Sequence, residues 1–248
     1  MLNSIESFAL GSSPLHTLDP RVKFLAACGF ATVAAVSQDF RTLVPALVFA
    51  LGLVFWARLD LRTLARRLLL VNSFIALLWC FLPFTYPGET AFTVGPLTAS
   101  REGLRFALLL SLRTNGIVLA TIALIGTTPV FNLVHALQHL HLPVKLVHVA
   151  FFCYRYIDVI QREYLRLRDA MRIRGFRPRT SLHTYTSYAY LVGMLLVRSY
   201  ERSERVYQAM LCRGFKGDFP VYRHFELDRR DMIYSGGLAA AILFLALL

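Results

Sequence analysis

L-L-L-V-N-S-F-I-A-L-L-W-C-F-L-P, residues 68–83, runs without a single charged side chain. It follows R-L-D-L-R-T-L-A-R-R at 58–67. An uncharged apolar helix behind a block of arginines is the pattern of a membrane span with its basic end in the cytoplasm. Pro83 ends the predicted helix. Similar runs occupy 43–57, 104–112 and 232–248, and they raise the apolar share of the 248 residues to 56%. A soluble domain carries about 45–50%. The spacing predicts an all-α, multi-pass membrane protein with spans near 21–37, 43–57, 68–83, 101–126 and 232–248. The first two are shorter than the roughly 20 residues a span needs, so their ends must extend into neighbouring residues. Asp19 and Pro20 are a natural N-cap and first helical residue for the first span.

Sidedness follows from charge. With residues 58–67 inside, 85–100, which holds Pro, Gly and Thr but no Lys or Arg, faces outside. Arg101 and Arg105 lie just beyond it and run against that assignment. Residues 142–217 hold 14 Lys/Arg against 5 Asp/Glu. That excess accounts for most of the formal charge of +12 and places the segment inside. No nucleic-acid-binding module accompanies it, so nucleic acid is not an expected partner. No secretory signal is expected, because the N-terminus lacks a basic n-region and carries Glu6. Cys28, Cys80, Cys153 and Cys212 are far apart and imply neither disulfides nor a zinc site.

Three regions emerge: 1–126 with about four spans, 127–230 as a helical cytoplasmic coupling domain, and 231–248 as a last membrane helix. In the middle region a short helix over 129–140 follows Thr127, Thr128 and Pro129. A long helix over about 144–174 follows Pro143. Its apolar positions Ile157, Ile160, Tyr164, Leu167 and Met171 form one stripe. Leu196, Tyr200, Ser203, Tyr207 and Met210 repeat the spacing in a second helix, where Glu201 and Arg205 are an i,i+4 pair. Residues 144–154 and 185–197 are further candidates for membrane insertion, which would raise the span count to six or seven.

A phrase in the middle region occurs twice: A-M-R-I-R-G-F-R at 170–177 and A-M-L-C-R-G-F-K at 209–216. Gly175 and Gly214 suit the left-handed cap of a helix end, and Arg174 and Arg213 then sit in the last turn, where the helix dipole favours a cation. Capping alone is not expected to require Ala170 and Met171, or Ala209 and Met210, before the arginine, nor Phe176 and Phe215 after the glycine. Small, soft, aromatic and guanidinium groups together read as a plug for a partner groove. Two plugs imply two equivalent partners, and a paired cytoplasmic ATPase of the ABC type fits. The chain lacks G-x-x-x-x-G-K-[ST], so ATP and Mg belong to those partner subunits and no cofactor is expected here.

The chain resembles the transmembrane T component of energy-coupling-factor (ECF) transporters, most closely the CbiQ cobalt-transport permeases. The resemblance rests on L-D-P-R-V-K at 18–23, T-T-P at 127–129, R-Y-I-D-V-I-Q-R-E at 155–163 and R-S-Y-E-R-S-E-R-V-Y-Q-A-M-L-C-R-G-F-K-G at 198–217. It implies that the Arg-Gly motifs end two crossing coupling helices, one for each of two ATPase subunits. It implies a separate substrate-binding membrane subunit, which carries cobalt, with room for a small accessory membrane subunit. It implies location in the cell (inner) membrane and no catalysis by this chain. Ile173 and Cys212 stand where Ala is common in the family. Arg155 and Glu163 match the family phrase as braces of the coupling helices, with Arg198 and Glu201 opposite. Nickel or a vitamin is an alternative cargo.

Two tempting features carry less. His135, His139 and His141 have metal-ligand spacing, but no carboxylate or thiol completes the set, so no metal ligand is assigned. Arg113 in the fourth span is expected to pair inside the bundle. An integral membrane enzyme with a cytoplasmic active face is the rival class. It finds no paired carboxylates, no nucleophile with a base and no H-E-x-x-H.

Overall fold

The structure, a computed structural model, describes residues 8, 11, 13–94, 97–139, 143–217 and 229–248. In chain order the elements are α1 (Pro14–Thr17), α2 (Pro20–Val36), α3 (Phe40–Ala57), α4 (Leu61–Thr85), β1 (Thr90–Val94), β2 (Leu97–Ser100) and α5 (Arg101–Leu124). Then come α6 (Val130–His139), α7 (Val144–Ile173), α8 (Leu182–Cys212) and α9 (Arg229–Leu247). They form two compact units, one within Asn3–Val144 and Glu226–Leu248, the other within Lys145–Phe225.

The first unit holds the candidate membrane spans. Helices α3, α4 and α5 have 18, 25 and 24 residues and are apolar enough to cross a bilayer. Helix α2 has 17 residues, and the apolar part of α9 spans Asp231–Leu247. At 1.5 Å per residue each of these two is about 25 Å long, at the lower edge of what a roughly 30 Å hydrocarbon layer requires. The short helix α6 packs on α2, so it groups with the spans, and the division between units falls at Val144 rather than near 126. Within 85–100, β1 and β2 pair antiparallel, with Thr90 opposite Ser100 and Val94 opposite Leu97. This hairpin is the one departure from helix among the described elements of an otherwise all-α fold.

Local sequence fixes the helix ends. Asp19 accepts a hydrogen bond from the Arg21 amide at 2.8 Å and Pro20 opens α2. Asp60 takes the Arg62 and Thr63 amides and the Thr63 hydroxyl at the start of α4. Ser100 accepts from the Gly103 amide at 3.0 Å to start α5. A Cβ on Gly103 would lie 2.9 Å from Leu82 O and from Pro83 Cα, so glycine here lets α5 leave hard against the end of α4.

Helix α5 is the centre of the unit and packs against α2, α3 and α4. Its buried face, Leu119, Ala120, Ala123 and Leu124, meets Ala27, Phe30 and Ala34 of α2 and Ala46, Ala50, Leu53 and Val54 of α3. Alanines predominate because dispersion, not water exclusion, holds helices together in lipid, and small side chains let backbones approach. Polar rungs add to this. Lys23 is 1% exposed, and its Nζ donates to Thr128 Oγ1 at 3.1 Å. Arg113, expected to pair inside the bundle, donates through Nη2 to the carbonyl of Ser37 at 2.6 Å, at the C-terminal end of α2. Between α4 and α5, Asn72 and Asn115 exchange hydrogen bonds of 3.1 and 3.0 Å, and Trp79 Nε1 donates to Ser111 Oγ at 2.8 Å.

Candidate functional site

The second unit is built from α7 and α8, with 30 and 31 residues. Ser181 caps α8 by accepting from the Thr184 amide. Thr184 in turn receives the Arg179 amide at 3.2 Å, which ties down the connection from α7. Glu163 of α7 and Arg198 of α8 form a hydrogen-bonded ion pair, and Arg166 lies 3.6 Å from the same carboxylate. On one side of this pair an apolar groove of about 400 Å³ is lined by Phe152, Tyr156, Ile160, Val206 and Met210. On the other, an open pocket of about 640 Å³ is lined by Met171, Arg174, Phe176, Tyr190 and Met194. The predicted α7 stripe is only partly covered: Ile157 and Ile160 are exposed among the described residues, while Leu167 and Met171 are half-buried.

The repeated phrase ends both helices in the same way. Gly175 has φ +82° and Gly214 φ +79°. The Phe176 amide donates to Met171 O at 3.1 Å, and the Gly175 amide to Arg172 O at 3.0 Å. The Phe215 amide donates to Met210 O at 3.1 Å, and the Gly214 amide to Leu211 O at 2.9 Å. This is the Schellman cap, in which the residue after the glycine bonds back to the third residue from the helix end. That geometry corrects the expectation that capping leaves Met and Phe unexplained. A hydrophobic contact between those two positions commonly accompanies the cap, and Met171, Phe176, Met210 and Phe215 are each half-buried. Phe176 also stacks edge-on with Tyr188 at 5.6 Å.

What capping does not use is left on the surface. Ala170, Arg174, Ala209 and Arg213 are exposed. Among the described residues neither guanidinium has an ion-pair partner. A Cβ on either glycine would meet nothing within 4 Å, so glycine is required by φ alone. Gly175→Ala or Gly214→Ala should therefore cost about 1–2 kcal/mol of local helix-end stability, the strain of a left-handed L-residue. Hydrogen exchange of the Phe176 or Phe215 amide reads it as loss of protection, and unchanged protection would contradict the cap.

Of the four proposed braces, the structure joins Glu163 to Arg198. Glu201 pairs along its own helix with Arg205 at 3.9 Å. Arg155 is exposed and has no ion-pair partner among the described residues. The Arg198 hydrogen bond, with Arg198, Arg166 and Arg202 charge nearby, holds the Glu163 carboxyl below its usual range. The pair thus stabilises the unit fully above the ordinary carboxylate pKa, and the contribution fades as pH falls through the lowered folded value. Protection factors of the amides flanking Glu163 and Arg198, taken against intrinsic exchange at each pH, should fall in acid, and Arg198→Ala should remove that pH dependence.

His135 lies half-buried on α6. The His139 side chain and all of His141 are outside the described residues. Among the described residues no group of three or more His, Cys, Asp or Glu converges. Two pairings are not evident from the sequence. Lys23 and Thr128 lie in the phrases 18–23 and 127–129, yet nothing in either phrase says that they meet. The Asn72–Asn115 pair is visible there only as two amides inside apolar helices.

These features define an α-helical membrane protein whose two longest described helices are amphipathic and end in matched Arg-Gly caps. The chain belongs to the CbiQ family: the family model described as "Cobalt transport protein" matches residues 11–222. It is therefore a membrane component of a transport system. The energy-coupling factor transporter transmembrane protein EcfT of Bacillus subtilis (strain 168) is 26% identical over 97% of this chain and 96% of its own length. EcfT of Heliobacterium modesticaldum is 27% identical over 83% of this chain and 81% of its own. A putative fused cobalt transport protein CbiMQ of Methanocorpusculum labreanum is 27% identical over 83% of this chain and 35% of its own.

Proposed function

We propose that this chain is the energy-coupling T component of an ECF-type importer, a multi-pass protein of the cell (inner) membrane. The observation that carries the reading is the pair of matched caps, each presenting an exposed Ala and an exposed, ion-pair-free Arg at the end of a long helix. Each end docks in a groove of one of two ATPase subunits, which bind ATP and Mg. Closure of the ATPases on ATP moves α7 and α8, and these transmit the motion to a separate substrate-binding membrane subunit. This chain holds no catalytic residues, and its partners are those subunits, a small accessory membrane subunit and the lipid bilayer. Cobalt is the proposed cargo, with nickel or a vitamin as the alternative. The similarity to a fused CbiMQ cobalt transport protein favours cobalt. The test is uptake of radiolabelled Co²⁺ into cells expressing this chain with its ATPase and membrane subunits. ATP-dependent uptake that is lost without this chain supports the proposal, and uptake unaffected by its removal overturns it.

A further inference from the structure

Helix α4 is by far the least covered of the three long spans. Only 11% of its apolar window is buried within the chain, against 39% for α3 and for α5. Leu69, Leu70 and Phe74 on this helix are 72%, 75% and 64% exposed, and lipid chains can cover them. Asn72 is exposed too, and lipid chains cannot satisfy it.

The hydrogen-bond inventory of the two amides is unequal. An asparagine offers two N–H donors and two acceptor lone pairs. Asn115 spends both donors, on Asn72 Oδ1 at 3.0 Å and on Ser111 O at 2.9 Å. Asn72 spends one donor, on Asn115 Oδ1 at 3.1 Å. One N–H and one lone pair of Asn72 are left over among the described residues. The residue lies five positions beyond Arg67, about 7 Å further along the helix axis, inside the uncharged run. Unmet polar groups at such depth are costly, and side chains of this kind bond across helices in membranes. Ser73 and Ala76, both exposed and small, let another backbone come near.

We propose that the face of α4 around Asn72 is where a transmembrane helix of the substrate-binding membrane subunit packs, presenting a hydrogen-bonding side chain to the free half of the Asn72 amide. The inference rests on the reading of this chain as one subunit of a membrane complex. It adds a contact inside the bilayer to the proposed contacts of α7 and α8.

The test uses the whole complex, purified through a tag on this chain after co-expression with the two ATPase subunits and the substrate-binding membrane subunit. Asn72→Leu should weaken retention of the membrane subunit roughly three- to twentyfold, the strength of one interhelical hydrogen bond in lipid, with ATPase recovery unchanged. Asn72→Gln should restore it. Asn115→Leu breaks the same intramolecular pair but leaves the outward amide, and should retain the subunit. Leu69→Trp obstructs the same face without touching the amides and should also lose it. Wild-type retention in Asn72→Leu overturns the proposal and leaves the face to lipid. Equal loss in Asn72→Leu and Asn115→Leu overturns it in favour of an internal clamp. Disulfide cross-linking of Leu69→Cys between two copies of this chain overturns it in favour of a homodimer. Failure of the energy-coupling reading shows separately, as a wild-type chain that recovers no ATPase.

Discussion

Replacing Arg174 and Arg213 together by alanine should abolish ATP-driven uptake, and either change alone should weaken it. The basis is that the chain itself hardly uses these side chains. Both are exposed, and neither has an ion-pair partner among the described residues. Within the chain each contributes only its favourable placement at a helix C-terminus, about 0.3–1 kcal/mol. In a docked groove the same guanidinium is desolvated against a partner carboxylate or carbonyl, where truncation costs about 2–5 kcal/mol. The variant should thus keep its fold and lose the proposed partners. Arg→Lys at both positions keeps the charge but not the planar fork, and should restore coupling only incompletely. Copurification of the ATPases and the rate of uptake are the two measurements. A double alanine variant that assembles and transports normally would refute docking through these ends.

Lys23→Ala should destabilise the membrane unit strongly, by about 2–5 kcal/mol, because it empties a fully buried site. Lys23 is fully buried and donates to Thr128 Oγ1 from 105 residues away in sequence. Its Nζ also donates to the carbonyl of His16 at 3.5 Å, so one ammonium on α2 links α1 to the turn after α5. Asp19 Oδ2 is itself buried with no hydrogen bond among the described residues. Either replacement of Lys23 removes the ammonium, so the two variants differ in the space they leave. Lys23→Met keeps the stem and fills the space, and should cost about 1–2 kcal/mol. Denaturation midpoints of the detergent-purified proteins separate the two. Equal midpoints for Lys23→Ala and wild type would show that the link carries no stability.

The helices were legible because their signals are local. Asp19-Pro20, Asp60 and Ser100 announce helix starts, Gly175 and Gly214 announce helix ends, and apolar runs mark the spans. The hairpin at Thr90–Ser100 was not legible as strands, since a stretch of Thr, Pro and Gly reads equally well as a loop. The placement of α6 against α2 depends on a contact across some 110 residues, which no window of sequence reports. At the site, the residues of the two motifs were legible, but the double duty of two of them was not. Met and Phe serve the cap as well as any partner, because the Schellman bonds bring those two positions together. Arg155 and Glu163 stand eight residues apart on α7. Only the path of α8 decides that Glu163 meets Arg198 and Arg155 does not.

The two amphipathic helices also differ mechanically. Helix α7 runs 30 residues without a glycine or a proline, a strut of about 45 Å that transmits a tilt with little bending. A tilt of about 10° at one end then carries the other end through roughly 8 Å. Helix α8 is as long but has an exposed Gly193 within it, where a Cβ would meet nothing within 4 Å, and glycine is a weaker helix former than any residue of α7. Equal strokes delivered to two chemically matched ends would then arrive unequally, through one lever without a glycine and one that carries it.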